Sequence, residues 1–341
     1  MNNMWQRIGL GIICLLLETV NVSAYEFRRV EELFSEINDK YAQIVDFNDV
    51  FQESCDLVQH YDSALKFYHN HTKAFLYQTN ELVATISVPQ NNDIMAWQDF
   101  VTTLLKESVK HSDKIASSAI NLENAVLKNT LRKLDSYSRL ENSVFSVADV
   151  DYRIQDNILY VRCDSFANGT SKLIKNVIEQ YPFVKGFILD LRENQGGDFN
   201  EAIKTADLFL DDVLIAYRKD KNSSPQFYNA NSGDILAEKP IVVLTGSHTA
   251  SAAEIVTAAL HEQGRATLIG VQTYGKGSIQ QVEKFFNQKL YLTSGYFFSP
   301  SGNAIHHIGI KPDICTEEAP DREKTELSLA MKFIKQRIGK I

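Results

Sequence analysis

Three short segments in the second half of the 341-residue chain carry residue types whose spacing suits covalent catalysis. In Thr249-Ala-Ser251-Ala-Ala-Glu254 a serine stands among small neighbours, between a strand end and a helix start. Its hydroxyl is uncovered, and a helix N-terminus favours negative charge developing beside it. Serine is also a common N-cap, so a purely structural role competes with the chemical one. In Thr273-Tyr-Gly275-Lys276-Gly277-Ser278-Ile-Gln280 a lysine sits between two glycines, flanked by the apolar runs Ala266 to Val271 and Ile279 onward. A lysine drawn into a low-dielectric site loses basicity and can accept a proton, and a neutral lysine beside a serine activates it as a nucleophile. The alternative for Lys276 is a solvated surface charge. The third segment, Asn194-Gln-Gly196-Gly197, follows a buried strand and precedes a helix. Paired glycines there allow a sharp turn whose unpaired N–H groups face a ligand, or form an ordinary strand-to-helix turn.

Two other motifs carry less. Gly270-Val-Gln-Thr-Tyr-Gly275-Lys276 fits a phosphate loop, but Gly277 occupies the position of the Mg²⁺-binding Ser or Thr. That leaves nucleotide binding as an alternative reading that nothing else in the sequence supports. His306-His307 invites a metal, but adjacent side chains on a strand face opposite ways, so no metal site is expected.

The elements that must position these segments alternate from about residue 157. Ile158 to Cys163, Phe187 to Leu191, Pro240 to Thr245 and Ala266 to Val271 read as strands. Helices are expected on the apolar faces of Leu173–Ile178, Ala202–Leu210 and about Ala250 to His261. That alternation predicts an α/β layer fold with several parallel strands. Two further strand-like runs, Ser278–Phe286 and Lys289–Phe298, precede a closing helix at Leu327–Ile338 capped by Asp321 or Thr325. From about 26 to 140 the apolar residues recur at three- and four-residue steps. Val30, Leu33, Phe34, Ile37, Tyr41 and Ile44 do so first, then Val58, Tyr61, Leu65 and Tyr68, then Phe100 to Val109. This predicts an all-helical N-terminal region, with Pro89–Asp93 as a break between helices. Its Tyr-rich faces could serve a bundle core, a homo-oligomer contact or a lid.

Charge and cysteine use narrow the function classes. Lys and Arg number 35 against 43 Asp and Glu, a net charge of −8, which does not suit a phosphate backbone, so no nucleic-acid partner is expected. The four cysteines (Cys14, Cys55, Cys163, Cys315) form no CxxC, which disfavours a disulfide scaffold or a structural zinc site. Residues 1–24 read as an export signal: Arg7, the apolar run Ile8–Leu17, and Val22-Ser23-Ala24 before Tyr25. The apolar run is too short to span a bilayer as a stable helix.

Taken in order, three blocks resemble the signature blocks of C-terminal processing (tail-specific) serine peptidases. They are Phe187-Ile-Leu-Asp-Leu-Arg-Glu-Asn-Gln-Gly-Gly197, Ser251-Ala-Ala-Glu254 and Tyr274-Gly-Lys-Gly-Ser-Ile-Gln280. Tyr296–Gly302 and Gly309–Asp313 resemble that family's late blocks, and Lys133–Leu140 resembles the segment that precedes its PDZ module. The interval of 25 residues from Ser251 to Lys276, and of four from Lys276 to Gln280, is similar to the family's own. The resemblance implies a Ser251 nucleophile, a Lys276 general base, a lysine-orienting amide at Gln280 and a secondary acidic helper at Glu262. It also implies an oxyanion hole from the N–H groups of Gly197 and Ala252, and a crotonase-like α/β core. The implied reaction is hydrolysis of peptide bonds in unstructured protein tails through an acyl-enzyme, with no metal or cofactor. Residues 141–157 leave no room for a PDZ module, so a PDZ-less member is expected. The expected domains are a 1–24 signal peptide, a 25–145 helical domain and a 150–341 peptidase domain. The protein would be exported, periplasmic or secreted, in a bacterial envelope. The alternative is a catalytically silent, peptide-binding scaffold relative.

Overall fold

The computed structural model describes residues 25–339 apart from 143–146, 222, 238 and 317–320, so the export signal read at 1–24 lies outside the described residues. The chain divides into two compact units: residues up to Asn38 together with Val45–Lys133, and Asp39–Ile44 together with Leu134 onward.

The first unit begins with α1 (Arg28–Lys40), whose stripe of Val30, Leu33, Phe34 and Ile37 is buried as its spacing requires. α2 (Phe47–Tyr61) starts where the Asp46 carboxylate accepts from the Asn48 N–H. Three strands follow, β1 (Leu65–His69), β2 (Lys73–Gln78) and β3 (Glu81–Ser87), paired antiparallel in chain order. The expectation of an all-helical region is corrected here. The run Val58, Tyr61, Leu65, Tyr68 keeps a helical step, but the helix ends at Tyr61 because Asp62 takes an extended conformation and accepts from the Ala64 N–H. Beyond it the burial alternates along β2, Ala74 and Leu76 buried and Lys73, Phe75 and Tyr77 less so, which is the period of a strand. Pro89–Asp93 therefore separates β3 from α3 (Ile94–Lys110), with Asp93 as its cap. α4 (Asp113–Ser117) and α5 (Ala119–Leu134) complete the unit's helices.

The second unit carries the remaining elements: β4 (Arg139–Glu141), β5 (Asp151–Gln155), β6 (Ile158–Arg162), α6 (Thr170–Gln180), β7 (Gly186–Asp190), α7 (Phe199–Asp207), β8 (Leu214–Asp220), β9 (Gln226–Asn229), β10 (Ile241–Thr245), α8 (Ala252–Glu262), β11 (Ala266–Gly270), β12 (Ser278–Phe285), β13 (Gln288–Phe298), β14 (Ile314–Cys315) and α9 (Arg322–Ile338). A six-stranded sheet runs β14-β11-β10-β7-β6-β5, parallel except for the edge strand β5. Its residues alternate between two apolar layers. Leu159, Val161, Phe187, Leu189 and Val243 face α6, α7 and α8, whereas Ile158, Tyr160, Ile188, Val242 and Leu244 face α9. Covering on both faces explains why these strands read as continuous apolar runs. A second, antiparallel sheet runs β12-β13-β8-β9, with β4 also paired to β13.

Between the helix layers, the end of β7 is fixed by a buried ion network. Arg192 donates to Asp190 and to Glu326 of α9, and the Tyr160 hydroxyl donates to Asp190 at 2.6 Å. The turn that follows β7 therefore starts from a rigid anchor. Among the described residues no helix is long and apolar enough to cross a membrane.

Candidate active site

Parallel strands point their C-terminal ends to one edge, and ligands in open α/β sheets bind in the crevice there. The turn after β7 and the start of α8 after β10 both lie at that edge. Asn194 organises the turn. Its side-chain Nδ2 donates to the Cys163 carbonyl at 2.8 Å, its Oδ1 accepts from the Gly196 N–H at 2.8 Å, and its own carbonyl accepts from the Ala250 N–H at 3.0 Å. One buried side chain thus ties the end of β6, the glycine turn and the residue before Ser251.

Gly196 and Gly197 have φ of 104° and 136°, conformations that suit glycine. A side chain at Gly196 would meet the Ser251 Cβ at 2.8 Å and the Ala252 nitrogen at 3.1 Å, so the turn lies directly against the serine. Phe166 pairs with Gly197 as a parallel bridge, its N–H bonding the Gly196 carbonyl and its carbonyl the Asp198 N–H. That pairing uses the groups on either side of Gly197 and leaves the Gly197 N–H pointing away from Phe166. Ala252 is the first residue of α8, where a helix N–H has no partner within the helix. The two expected oxyanion donors are therefore both backbone N–H groups without a fold-imposed acceptor. Replacing Gly197 by alanine would bring a Cβ to 2.1 Å from the Phe166 carbonyl oxygen at a φ that L-residues rarely adopt. The expected result for Gly197→Ala is a lower Tm and a fall in kcat/KM of about 10²- to 10³-fold, the scale of losing one oxyanion donor. Thermal melts and peptide cleavage assays measure the two.

Ser251 stands at the N-cap position of α8 with φ 55° and ψ −119°, a strained backbone for a residue with a Cβ. The strain is held by Glu254. Its Oε2 accepts from the Ser251 N–H at 2.9 Å and the Lys276 N–H at 2.8 Å; its Oε1 accepts from the Thr273 hydroxyl at 2.5 Å and the Gly275 N–H at 2.7 Å. One oxygen thus holds the main chains of Ser251 and Lys276 side by side. Burial pushes the Glu254 carboxyl up, and these four donors pull it back. A further bond, Tyr274 N–H to the Thr249 carbonyl at 2.9 Å, fastens the lysine segment to the serine segment. That segment leaves β11 and enters β12, a strand. A phosphate loop must open into a helix, so the nucleotide reading is set aside.

Lys276 is half-buried, and its ammonium lies 4.7 Å from the centre of the Tyr137 ring. Burial lowers its pKa, as does the nearby Arg139 charge, while Asp135 and Glu254 act in the opposite direction. Gln280, in β12, donates through Nε2 to the Thr293 hydroxyl at 2.7 Å, and its Oε1 is buried without a partner.

Glu262 is not brought to this site. It closes the far end of α8, eleven residues from Ser251, a distance of about 16 Å at the helical rise. Its carboxylate accepts from the Ser301 N–H at 2.8 Å and from Asn303, and burial's upward push is outweighed by these and the neighbouring serine bonds, which lower its pKa. Glu262 is a clamp on the 299–303 turn. The histidine argument also changes: His307 has φ 62° in a turn, so the rings of His306 and His307 lie 3.9 Å apart instead of diverging. Among the described residues no group of three or more His, Cys, Asp or Glu side chains could hold a metal ion.

The residues missed by sequence reasoning are Glu254, Asn194 and Tyr137. Glu254 was signalled by S-x-x-E, the capping-box pattern, in which the third residue's side chain reaches back to the cap N–H.

Part of this chain is similar to known proteins. Residues 157–316 match Peptidase family S41. The chain is 37% identical over 195 residues to the carboxy-terminal-processing protease of Bartonella bacilliformis, covering 54% of this chain and 45% of that protein. It is 34% identical over 173 residues to the chloroplastic carboxyl-terminal-processing peptidase 3 of Arabidopsis thaliana, covering 49% and 33%. A solved lipoprotein structure from Streptococcus agalactiae shares the fold, with a TM-score of 0.54 at 19% identity over 71% of this chain and 88% of that one. These matches define a serine-type peptidase domain. Over residues 157–316 the chain is similar to peptidase family S41. The matched segment spans less than half the length of either protease named above.

Proposed function

We propose that this protein is an exported serine endopeptidase that cleaves unstructured or C-terminal protein segments with Ser251 as nucleophile and Lys276 as general base. The observation that carries the reading is the shared Glu254 oxygen, which binds the N–H of both residues. Burial that disfavours the ammonium supports the neutral amine the reaction requires. In the proposed sequence the Lys276 amine takes the Ser251 hydroxyl proton as the oxygen attacks the scissile carbonyl carbon. The resulting oxyanion accepts from the N–H groups of Gly197 and Ala252. Collapse of the intermediate breaks the C–N bond, the lysine ammonium returns its proton to the departing amine, and an ester to Ser251 remains. Water then attacks that ester with Lys276 again as base, releasing the acid and restoring the serine.

Gln280 fits the orienting role, since its unpaired Oε1 offers the lysine an acceptor four residues away. Intact Ser251, Lys276 and Gln280 disfavour the silent-scaffold alternative. The chain passes from β4 to β5 through residues 142–150, consistent with a crotonase-like core that lacks an inserted PDZ module.

The test is cleavage of an unfolded protein such as casein, followed against pH, with a chelator control. The active form is the neutral amine, so activity should rise with pH through the lysine pKa. Because that pKa is lowered, the rise should fall below the range of an ordinary lysine. Lys276→Ala should lose the activity and the titrating limb together. Full activity in Lys276→Ala, or a flat profile from pH 5 to 9, contradicts the assignment.

A further inference from the structure

The S41 match begins at residue 157, yet the catalytic lysine is in contact with a residue well before it. The segment from Leu134 to Arg139 forms a tight turn around Asp135. Asp135 Oδ1 accepts from the N–H groups of Tyr137 at 2.6 Å and Ser138 at 2.7 Å, and its Oδ2 accepts from the Ser138 hydroxyl at 3.0 Å. The turn is anchored from behind where the Tyr41 hydroxyl donates to the Leu134 carbonyl at 2.6 Å. On its front it reaches Lys276 directly and Gln280 through Thr293. The Tyr137 ring lies under the Lys276 ammonium, and its hydroxyl is near that of Tyr274. The Ser138 hydroxyl accepts from the Thr293 N–H at 3.2 Å, and the Thr293 hydroxyl accepts from Gln280. His306 closes the other side of the tyrosine, ring centres 6.1 Å apart.

We propose that Tyr137 is a positioning residue for Lys276, its aromatic face holding the amine in place, and that the Asp135–Ser138 turn is part of the active site although it lies outside the family match. The inference rests on the Ser–Lys reading above. An ammonium facing an aromatic ring is attracted by the ring quadrupole, whereas an aliphatic side chain offers no such attraction. The charged and titratable groups around the amine are Tyr137, Asp135 and Arg139 from this segment, Glu254 from α8, Tyr274 from its own loop and His306 from the closing turn. Among these the tyrosine ring and the two carboxylates favour the ammonium, and Arg139 opposes it.

The experiment compares kcat, KM and the pH profile of wild type, Tyr137→Phe, Tyr137→Leu and Lys276→Ala on one peptide substrate, with melting curves for each. Tyr137→Phe keeps the ring and should retain kcat and the wild-type limb. Tyr137→Leu should lose about 10²-fold in kcat, the scale of a displaced catalytic group, with KM little changed. Its limb should move to lower pH because the ammonium has lost its aromatic partner. A merely structural tyrosine would lower Tm without moving that limb. If Tyr137→Leu does not fold, Tyr137→Met makes the same comparison. A wild-type profile in the folded aliphatic variant, or a loss in Tyr137→Phe equal to that in Tyr137→Leu, overturns the inference. Retained activity in Lys276→Ala overturns the Ser–Lys reading itself, so the two failures are distinguishable.

Discussion

Ser251→Ala should reduce proteolysis by about 10³- to 10⁶-fold while leaving the melting temperature close to that of the wild type. The range follows from serine-hydrolase nucleophile deletions, in which binding and oxyanion contacts preserve only a residue of the acceleration. Stability is expected to hold because the fold uses the serine's main chain: its N–H is bound by Glu254, whatever the side chain. Ser251→Gly sharpens the test. Its backbone relieves a φ of 55° that costs a residue with a Cβ of order 1–3 kcal/mol, so the inactive protein should melt at or above the wild-type temperature. Cleavage surviving in either variant would remove Ser251 from the mechanism, and a large drop in Tm would show that the hydroxyl carries fold energy.

The second large effect is expected at Glu254. Four donors converge on its two oxygens, from Ser251, Thr273, Gly275 and Lys276. Glu254→Gln replaces one acceptor oxygen by an NH₂ that faces N–H groups, so at least one buried donor pair is left opposed. Glu254→Ala leaves all four unpaired. At about 1–3 kcal/mol for each unsatisfied buried group, either change should cost several kcal/mol of stability. Activity should fall to the level of Ser251→Ala because the serine and lysine main chains part. Chemical denaturation and cleavage assays on the same samples read both. A Glu254→Gln protein of wild-type stability and activity would show that the carboxylate is not the tether described above.

Much of the site was legible because it is written in short blocks. Strand, glycine turn and helix succeed one another around Asn194–Gly197 and again around Ser251, and local pattern suffices to place them. What escaped was set by contacts between distant parts of the chain. Tyr137 and Lys276 are separated by most of the sheet, and no periodicity announces that they touch. The segment at Leu65–Ser87 misled for the opposite reason. Its first apolar residues fall on a helical step inherited from α2, and only the extended Asp62 reveals that the helix has stopped. β8 and β9 escaped because most of their residues are polar or partly exposed, with no clean alternation to mark a strand. Glu262 was named for its place on the helix after the serine, but a full helix length of about 16 Å separates them, and its carboxylate serves the 299–303 turn.

A carboxylate that grips two peptide N–H groups is indifferent to the side chains those residues bear. The consequence is practical. A form with alanine in place of the nucleophile should keep the cleft intact and retain polypeptides it can no longer cut, which makes such a form a capture reagent for the natural targets of this protein.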